Sequence, residues 1–254
     1  MSTVSTVSTV YANTSQAAKA GDLDAIIRMM ASPDFRWHPE TTAFAGGYGH
    51  FEVLKFAYEN GCPWAIHTCS SAAFRGHFNC LKFAYEHGAP LPSFTPNGAC
   101  SGGNLECLIY ACEKGCPVDE NTSRLAAERS LECLQYLYSI QCPMDVYTSI
   151  YAAKEFKLDC LRFALEHGCP FERATCVRLN KHTDKIDLDA HIWLRKQLFS
   201  SMESDVLIPR EDLQMLYDKV KAKIEEIKLQ KQFALHECFE LPSEVVNYVV
   251  TRYF

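Results

Sequence analysis

Cysteines are the residues of this chain with the clearest capacity for chemistry, because thiolates act as nucleophiles and as zinc ligands. The sequence has 13 cysteines, and no two of them are separated by two residues, the spacing that tetrahedral zinc sites usually show. Most recur before Pro, before Leu or after Thr: Cys62, Cys116, Cys142 and Cys169; Cys80, Cys107, Cys133 and Cys160; Cys69 and Cys176. A catalytic thiol would be singular, so this recurrence predicts packed structural thiols, with no metal and no cofactor.

Other catalytic patterns are absent from the sequence. It contains no Gly-x-Gly-x-x-Gly, Walker, His-Glu-x-x-His or Gly-x-Ser-x-Gly motif. The Gly-rich stretch at 46–49 lies in a predicted turn between helices, whereas a phosphate-binding loop follows a strand. Cys238, close to His236 and outside the recurring positions, is the single candidate for a reactive thiol. We therefore expect no enzyme, with a thiol-dependent enzyme as the alternative.

The composition argues against nucleic-acid binding and membrane insertion. The chain has 254 residues, of which 48% are apolar and 22% charged, and its net charge of -6 leaves no excess of phosphate-binding cations. No apolar run reaches the roughly 18 residues that a membrane span needs. The N-terminal segment MSTVSTVSTV lacks the basic start and apolar stretch of a signal peptide. We therefore expect an intracellular location, in the cytoplasm or the nucleus.

The segments that position these residues recur with a fixed period, which is typical of a repeat protein. Threonines open successive units at spacings of 26 or 27 residues: Thr41, Thr68, Thr95, Thr122, Thr148 and Thr175. Each threonine is predicted to N-cap a short first helix in which two neighbouring positions hold only small residues. A glycine then predicts the turn to a second helix. In the unit that opens at Thr122 this glycine is missing and the turn is one residue shorter.

The second helix of each unit carries a leucine, followed two residues later by an aromatic residue: Leu54, Leu81, Leu108, Leu134 and Leu161. Apolar residues at spacings of three and four are typical of a helix packed along one side. Gly followed by Cys-Pro or Ala-Pro ends most of these helices. Because one helix–turn–helix unit cannot bury its apolar face alone, neighbouring units must stack. The sequence predicts an all-α, helical-repeat solenoid.

The pattern T-x-x-x-A-A-x-x-G-H-x-x-C-L-x-x-A-x-x-x-G-A-P, found from Thr68 to Pro90, resembles an ankyrin repeat. The resemblance implies a protein-binding function. Ankyrin repeats span about 33 residues, so the shorter units here imply truncated hairpin loops. Short units ending in Gly-Cys-Pro are similar to divergent arrays of large DNA viruses and some protists, and a viral origin would place the protein in a host cell. Another helical-repeat family is the alternative.

The sequence divides into three parts. Residues 1–12 are predicted to form a disordered tail and residues 13–200 the ankyrin-like repeat domain. Within that domain we expect a capping unit at 13–40, repeats at 41–67, 68–94, 95–121, 122–147 and 148–174, and a C-terminal cap at 175–200. Residues 201–254 are predicted to form a helical extension, which includes a long amphipathic helix over residues 209–233.

The C-terminal segment contains Leu241-Pro242-Ser243-Glu244 followed by apolar residues at helical spacing, and it resembles the start of an F-box. F-box-like ends of this kind follow ankyrin arrays in poxvirus-type proteins. The resemblance implies contact with the Skp1 adaptor of a ubiquitin ligase through Leu241, Pro242, Glu244, Val245 and Val249. Because only 14 residues remain from Leu241 onward, the alternative is an ordinary terminal helix with proline in its first turn.

Function in a repeat array is expected at positions that vary between units while the core positions stay fixed. Two such sets lie in the loop before each threonine and on the outer side of the first helix, the side that lines a concave groove in ankyrin-like stacks. We predict that a partner protein contacts His67, Phe94, Asn121, Arg124, Tyr147 and Tyr151. The alternative is that the apolar residues among them fill gaps between units.

The sequence as a whole predicts a non-enzymatic protein–protein interaction module that binds its partner through this groove. A substrate-recruiting adaptor of a Skp1/cullin-type ubiquitin ligase is the sharper alternative, and a purely structural spacer is another. The identity of the partner does not follow from the residues.

Overall fold

The computed structural model describes residues 11–170, 175, 214–215, 217–222, 225–226 and 229. Residues 11–170 form twelve α-helices and no strand. The helices are α1 (Thr14–Ala20), α2 (Leu23–Met30), α3 (Thr41–Gly47), α4 (Phe51–Glu59), α5 (Thr68–Arg75), α6 (Phe78–Glu86), α7 (Thr95–Gly102), α8 (Leu105–Glu113), α9 (Glu120–Arg129), α10 (Leu131–Ser139), α11 (Val146–Lys154) and α12 (Leu158–Glu166). None of the helices in the described ranges is long and apolar enough to cross a bilayer.

The chain divides into two compact units, Met1–Met144 and Asp145–Phe254. Helices α1 to α10 belong to the N-terminal unit, and α11 and α12 belong to the C-terminal unit. Consecutive helices form helix–turn–helix pairs, and in the N-terminal unit each pair stacks on the next. The fold is an all-α, helical-repeat solenoid, which confirms the fold class predicted from the sequence.

The first helices of the N-terminal unit, α1, α3, α5, α7 and α9, form one layer, which we call the first-helix layer. Each of these helices packs directly on the next along the chain. Their facing positions hold small buried residues: Ala17, Ala18, Ala45, Gly46, Ala72, Ala73, Ala99, Cys100, Ala126 and Ala127. At Gly102 in α7, an added Cβ would collide with the carbonyl oxygen of Phe74 in α5. The helices therefore approach each other closely because large side chains are missing between them.

The second helices of the same unit, α2, α4, α6, α8 and α10, form the second-helix layer. Each packs mainly on the first helix of its own repeat and has little contact with the second helices of its neighbours. Each contributes at least one large apolar side chain that is completely buried: Ile26, Leu54, Leu81, Leu108, and both Leu134 and Leu137 from α10. Burying a side chain of this size stabilises the folded state by roughly 1.5–3 kcal/mol. This layer therefore contributes to stability through the burial of large side chains.

The recurring threonine does not cap its helix in the way that the sequence predicted. In α3, α5 and α7 it is the first helical residue, and the hydroxyls of Thr41, Thr68 and Thr95 donate to the carbonyl three residues earlier at 2.8, 2.9 and 2.6 Å. Hydroxyls of adjoining repeats also bond, at 2.7 Å between Thr14 and Thr41 and at 3.1 Å between Thr42 and Thr68. A hydroxyl buried between repeats must find its partners inside the protein, so it closes the preceding turn. The N-cap prediction was wrong for these helices.

In α9 and α11 an aspartate is the N-cap and the threonine lies at the third helical position. Asp119 accepts the backbone N–H of Thr122 at 3.0 Å, and the Thr122 hydroxyl accepts the backbone N–H of Asp119 at 3.1 Å. Asp145 and Thr148 form the same pair of bonds in the C-terminal unit, both at 3.2 Å. Each capping box satisfies two backbone donors that the helix leaves free. Here too the threonine takes part in the cap without being the N-cap residue.

The turn between the two helices of a pair is held against the preceding repeat. Gly49, which follows α3, has a φ of 77°, and the ring of His77 from the next repeat occupies the space where a Cβ would lie. Asn104 covers Gly76 in the same way and donates to the carbonyl of Ala73 at 2.9 Å. Glycine is therefore required twice at this turn, for the left-handed backbone and for the space.

The pair α9–α10 lacks this arrangement. Its turn residue Ser130 accepts the backbone N–H of Cys133 at 3.3 Å. A Cβ built on Gly103 would lie 3.6 Å from the Cβ of Ser130, which is an ordinary contact distance. The turn that ends α10 differs as well, because Gln141 has a φ of 61° where the α6 pair has Gly88 with a φ of 89°. A left-handed conformation costs a residue with a Cβ roughly 1–2 kcal/mol. This repeat is therefore the least regular of the N-terminal unit.

Several predictions fall largely outside the described residues: the tail at 1–12, the cap at 175–200, and the F-box-like segment with Leu241, Pro242, Glu244, Val245 and Val249. In the predicted cap, Thr175 is helical and buried. In the predicted helix at 209–233, the described residues are helical, and Val220 is completely buried. The domain boundaries stay predictions.

Candidate protein-binding surface

Two of the predicted contact residues, His67 and Phe94, lie next to each other on the N-terminal unit. Each is the residue that precedes a first helix, α5 and α7, at the end of a short loop. Their ring centroids are 6.4 Å apart, and both side chains are exposed, Phe94 to 49%. Asn121 and Arg124 lie one repeat further along, in α9, where Asn121 is exposed and Arg124 is half-buried.

The other two predicted contact residues, Tyr147 and Tyr151, belong to α11 in the C-terminal unit. They lie four positions apart and so share one side of the helix. Tyr147 is 49% exposed, and Tyr151 is half-buried with the Lys154 ammonium 5.3 Å from its ring centroid. These two tyrosines therefore form an aromatic pair on one side of α11.

A cluster that the sequence reasoning missed surrounds Tyr48, at the end of α3. The Arg75 guanidinium lies 4.1 Å from the centre of the Tyr48 ring, and the Lys19 ammonium lies 5.4 Å from it. The two cations come from the repeats on either side of Tyr48, so three consecutive repeats meet at one ring. The signal in the sequence was weak, because the same repeat position holds Tyr48, Arg75, Gly102 and Arg129 and shows no shared residue type.

Phe74 is a second missed residue. It occupies the last turn of α5 and is 49% exposed, although it lies in the closely packed first-helix layer. Ile66, in the loop before α5, is exposed to 62%. The repeat position that holds Phe44 in α3 and Leu125 in α9 holds only Ser71 in α5 and Gly98 in α7. Exposed apolar side chains therefore border a stretch of short ones.

The second-helix layer carries an aromatic cluster of a different kind. The Tyr58 and Trp64 rings stack at 5.4 Å, Tyr58 meets His87 at 4.9 Å, and Phe83 meets His87 at 4.1 Å. The Trp64 indole donates to the carbonyl of His87 at 2.9 Å. Because these rings contact one another, their faces are already used in joining neighbouring repeats. This cluster braces the array and leaves the first-helix layer as the better candidate surface.

The thiols of the described residues have the properties of packing groups. Burial raises the pKa of Cys69 and Cys107 to about 12 and that of Cys80 to about 11, so these thiols stay protonated at neutral pH. A hydrogen bond between the completely buried Cys100 and Cys133 raises the pKa of Cys100 and lowers that of Cys133. The described ranges hold no group of three or more His, Cys, Asp or Glu that could bind a metal ion. Cys238 lies outside these ranges.

Comparison with known proteins identifies the fold. No family model matches the sequence, and no curated protein matches it. Among solved structures, the ankyrin repeat domain of human ASB11 matches with a TM-score of 0.51, covering 63% of this chain and 85% of that chain at 17% sequence identity. The fold is an ankyrin-repeat fold. This likeness agrees with the ankyrin-like repeat array expected from the sequence.

Proposed function

We propose that the chain is a non-enzymatic, intracellular protein-binding module whose partner docks on the first-helix layer of the N-terminal unit. The carrying observation is the exposure of Phe74 in α5, to 49%, and of Ile66 and Phe94 just before α5 and α7, to 62% and 49%. Exposed apolar side chains grouped on one surface are typical of protein interaction sites.

The packing of the two layers also favours the first-helix layer as the docking side. First helices contact their neighbours closely, whereas second helices of adjacent repeats have little contact. Because a stack bends toward its more closely spaced layer, we infer that the first-helix layer is the inner side of the N-terminal unit. His67, Phe94, Asn121 and Arg124 are the contact residues that we propose there, with Tyr147 and Tyr151 on the C-terminal unit.

Affinity capture with the full chain as bait tests this proposal. Proteins captured by the native chain should be lost when Phe74 and Phe94 are both changed to alanine, because the exposed apolar contacts are removed. Ile27→Ala is the matched control, since Ile27 is 45% exposed but lies in the second-helix layer. Equal capture by all three proteins would show that the first-helix layer is not the binding surface.

A second candidate function is recruitment of a partner to a Skp1/cullin-type ubiquitin ligase. The observation that favours it is the Leu241-Pro242-Ser243-Glu244 sequence followed by Val245 and Val249, which resembles the start of an F-box behind an ankyrin-like array. Capture with the full chain should yield a Skp1-type subunit that is lost from a chain ending at Glu240. Identical partners for both chains, without any ligase subunit, would contradict the adaptor function and leave the binding module unaffected.

A thiol-dependent enzyme is the competing class, and alkylation of the native protein tests it. Burial raises the pKa of most described thiols, and Cys133, whose pKa is lowered, is completely buried. We therefore expect the described thiols to react slowly with iodoacetamide at pH of about 7.5 and quickly after unfolding. The modified positions would be identified by mass spectrometry. A single fast thiol, with Cys238 as the first position to examine, would favour catalysis over packing.

A further inference from the structure

Charge is distributed unequally between the two layers of the N-terminal unit. From residue 41 to residue 113 the chain has five carboxylates, and all of them lie on second helices: Glu52, Glu59, Glu86, Glu106 and Glu113. The first helices α1, α3, α5 and α7 contain no Asp or Glu, and neither do the loops at 60–67 and 87–94. In a protein of net charge -6, four consecutive first helices therefore carry no carboxylate of their own, while the half-buried Glu40 directly precedes α3.

Two cations stand on this surface. Lys19 and Arg75 are both exposed, and the Tyr48 ring holds them on the same site at 5.4 and 4.1 Å. Within the described residues neither of them forms an ion pair with a carboxylate. A negative group that docks beside the Tyr48 ring would be attracted by both cations. A guanidinium that lies over a ring also keeps its N–H edge available to a carboxylate.

Apolar side chains flank the cations on the same layer. Phe74 is adjacent to Arg75 in α5, and Phe94 precedes α7. Gly98 lies beside Phe74, since a Cβ built on Gly98 would be 3.8 Å from the Cβ of Phe74, and Ser71 precedes Phe74 by one helical turn. Both positions lack a long side chain and leave room for a peptide chain. An occupant that matches the whole surface must therefore combine negative groups with apolar ones.

We propose that the first-helix layer recognises an acidic peptide segment, whose carboxylates bind Lys19 and Arg75 and whose apolar side chains pack on Phe74 and Phe94. This inference rests on the proposed binding function and adds the chemistry of the partner. Two cations in a chain with an excess of carboxylates are too few for a nucleic-acid backbone, which needs several phosphate contacts. A protein segment rich in Asp and Glu is the class of partner that these residues favour.

Selection from a random-sequence peptide phage library on the full chain tests the inference. We expect the selected peptides to be enriched in Asp and Glu and to contain one or more apolar residues. The best peptide, synthesised with a fluorescent label, should bind in fluorescence anisotropy more weakly as salt is raised. The Lys19→Glu, Arg75→Glu double variant should bind it about tenfold more weakly. A peptide with Lys in place of its Glu residues should recover binding to that variant.

Lys82→Glu is the matched control, because Lys82 is exposed on α6 in the second-helix layer and should change the affinity by less than about twofold. Circular dichroism of each variant checks that the helices are intact. Arg75→Gln, which removes the charge without reversing it, should give an intermediate loss of affinity.

The other outcomes separate this inference from the function on which it rests. Neutral or basic peptides that depend on Phe74 and Phe94 would overturn the acidic partner and keep the binding surface. Peptides that respond to Ile27→Ala or Lys82→Glu instead would overturn both. Tighter binding of a labelled single-stranded oligonucleotide through Lys19 and Arg75 would replace the peptide by a nucleic acid, and a library that yields no binder would overturn the inference.

Discussion

The two layers of the N-terminal unit come from the same repeat and differ in both packing and surface. First helices meet across repeats through residues such as Ala72 and Ala99, and they carry no carboxylate from α1 to α7. Second helices bury large side chains such as Leu81 and carry the carboxylates. The first-helix layer joins the repeats. The small buried residues between its helices set the spacing, so its exposed residues are free to vary. The second-helix layer supplies most of the buried apolar volume.

The largest expected effect concerns the second-helix layer. Leu81→Ala should lower the free energy of unfolding by about 2–5 kcal/mol, because it removes a completely buried side chain and leaves a cavity. Urea unfolding followed by circular dichroism measures the change. Lys82→Ala, at the exposed neighbouring position, should stay within about 0.5 kcal/mol. Similar losses for both variants would mean that α6 is not held by burial.

The next effect probes the close approach of the first helices. Gly102→Ala should lower the free energy of unfolding by about 1–3 kcal/mol, since its Cβ would collide with the Phe74 carbonyl and force α5 and α7 apart. Gly98→Ala in the same helix should raise it by about 0.5–1 kcal/mol, because its Cβ would lie an ordinary 3.5 Å from the Ser70 carbonyl oxygen and alanine favours a helix. Thermal or urea unfolding gives both values, and a gain for Gly102→Ala would contradict the packing.

These cases show how far the sequence alone could lead. Periodic Leu81 and its equivalents, the paired small residues and the Gly-Cys-Pro endings predicted the helix pairs, because core positions repeat when their environment repeats. The role of Thr68 was not predictable, since a threonine before a helix is commonly an N-cap and only burial between repeats gives it other partners. The site at Tyr48 was missed because its contacts with Lys19 and Arg75 span three repeats and depend on geometry that no single repeat contains.

A smaller effect is expected at the turns that close the second helices. Gln141→Gly should raise the free energy of unfolding by about 0.5–1 kcal/mol, because glycine adopts the φ of 61° without a Cβ penalty. Gly88→Ala is the reverse change at the equivalent turn and should lower stability by about 1 kcal/mol, with no atom within 4 Å of the new Cβ to add a steric cost. If urea unfolding shows a higher free energy of unfolding for Gln141→Gly and a lower one for Gly88→Ala, the effects come from the backbone conformation. A loss for both variants would show that the Gln141 side chain matters more than its backbone.

The smallest effect lies at His77, where the turn meets the preceding repeat. Burial, followed by the charges of Arg75 and His50, lowers the pKa of His77. The folded protein therefore binds this proton less readily than the unfolded chain. The stabilising contribution is complete above the ordinary histidine pKa of about 6.5 and is lost as the pH falls through the lowered folded value.

The matched variant for this prediction is His77→Asn, because Asn104 fills the same position one repeat later. Between pH of about 7.5 and 5, the urea midpoint of the native chain should fall more steeply than that of the variant. Parallel pH profiles would show that His77 does not contribute to the acid sensitivity of the array.

The missing turn contact at Ser130 affects how the array would come apart. Each repeat of a linear stack is stabilised only by its direct neighbours. One weak interface between repeats therefore divides the stack into blocks that unfold separately. In the N-terminal unit that interface lies between the pairs α7–α8 and α9–α10, where the Gly103 turn has no His or Asn above it. Amide deuterium exchange should therefore reach α9 and α10 ahead of α5 and α6, and partial opening would begin at the last repeat of the unit.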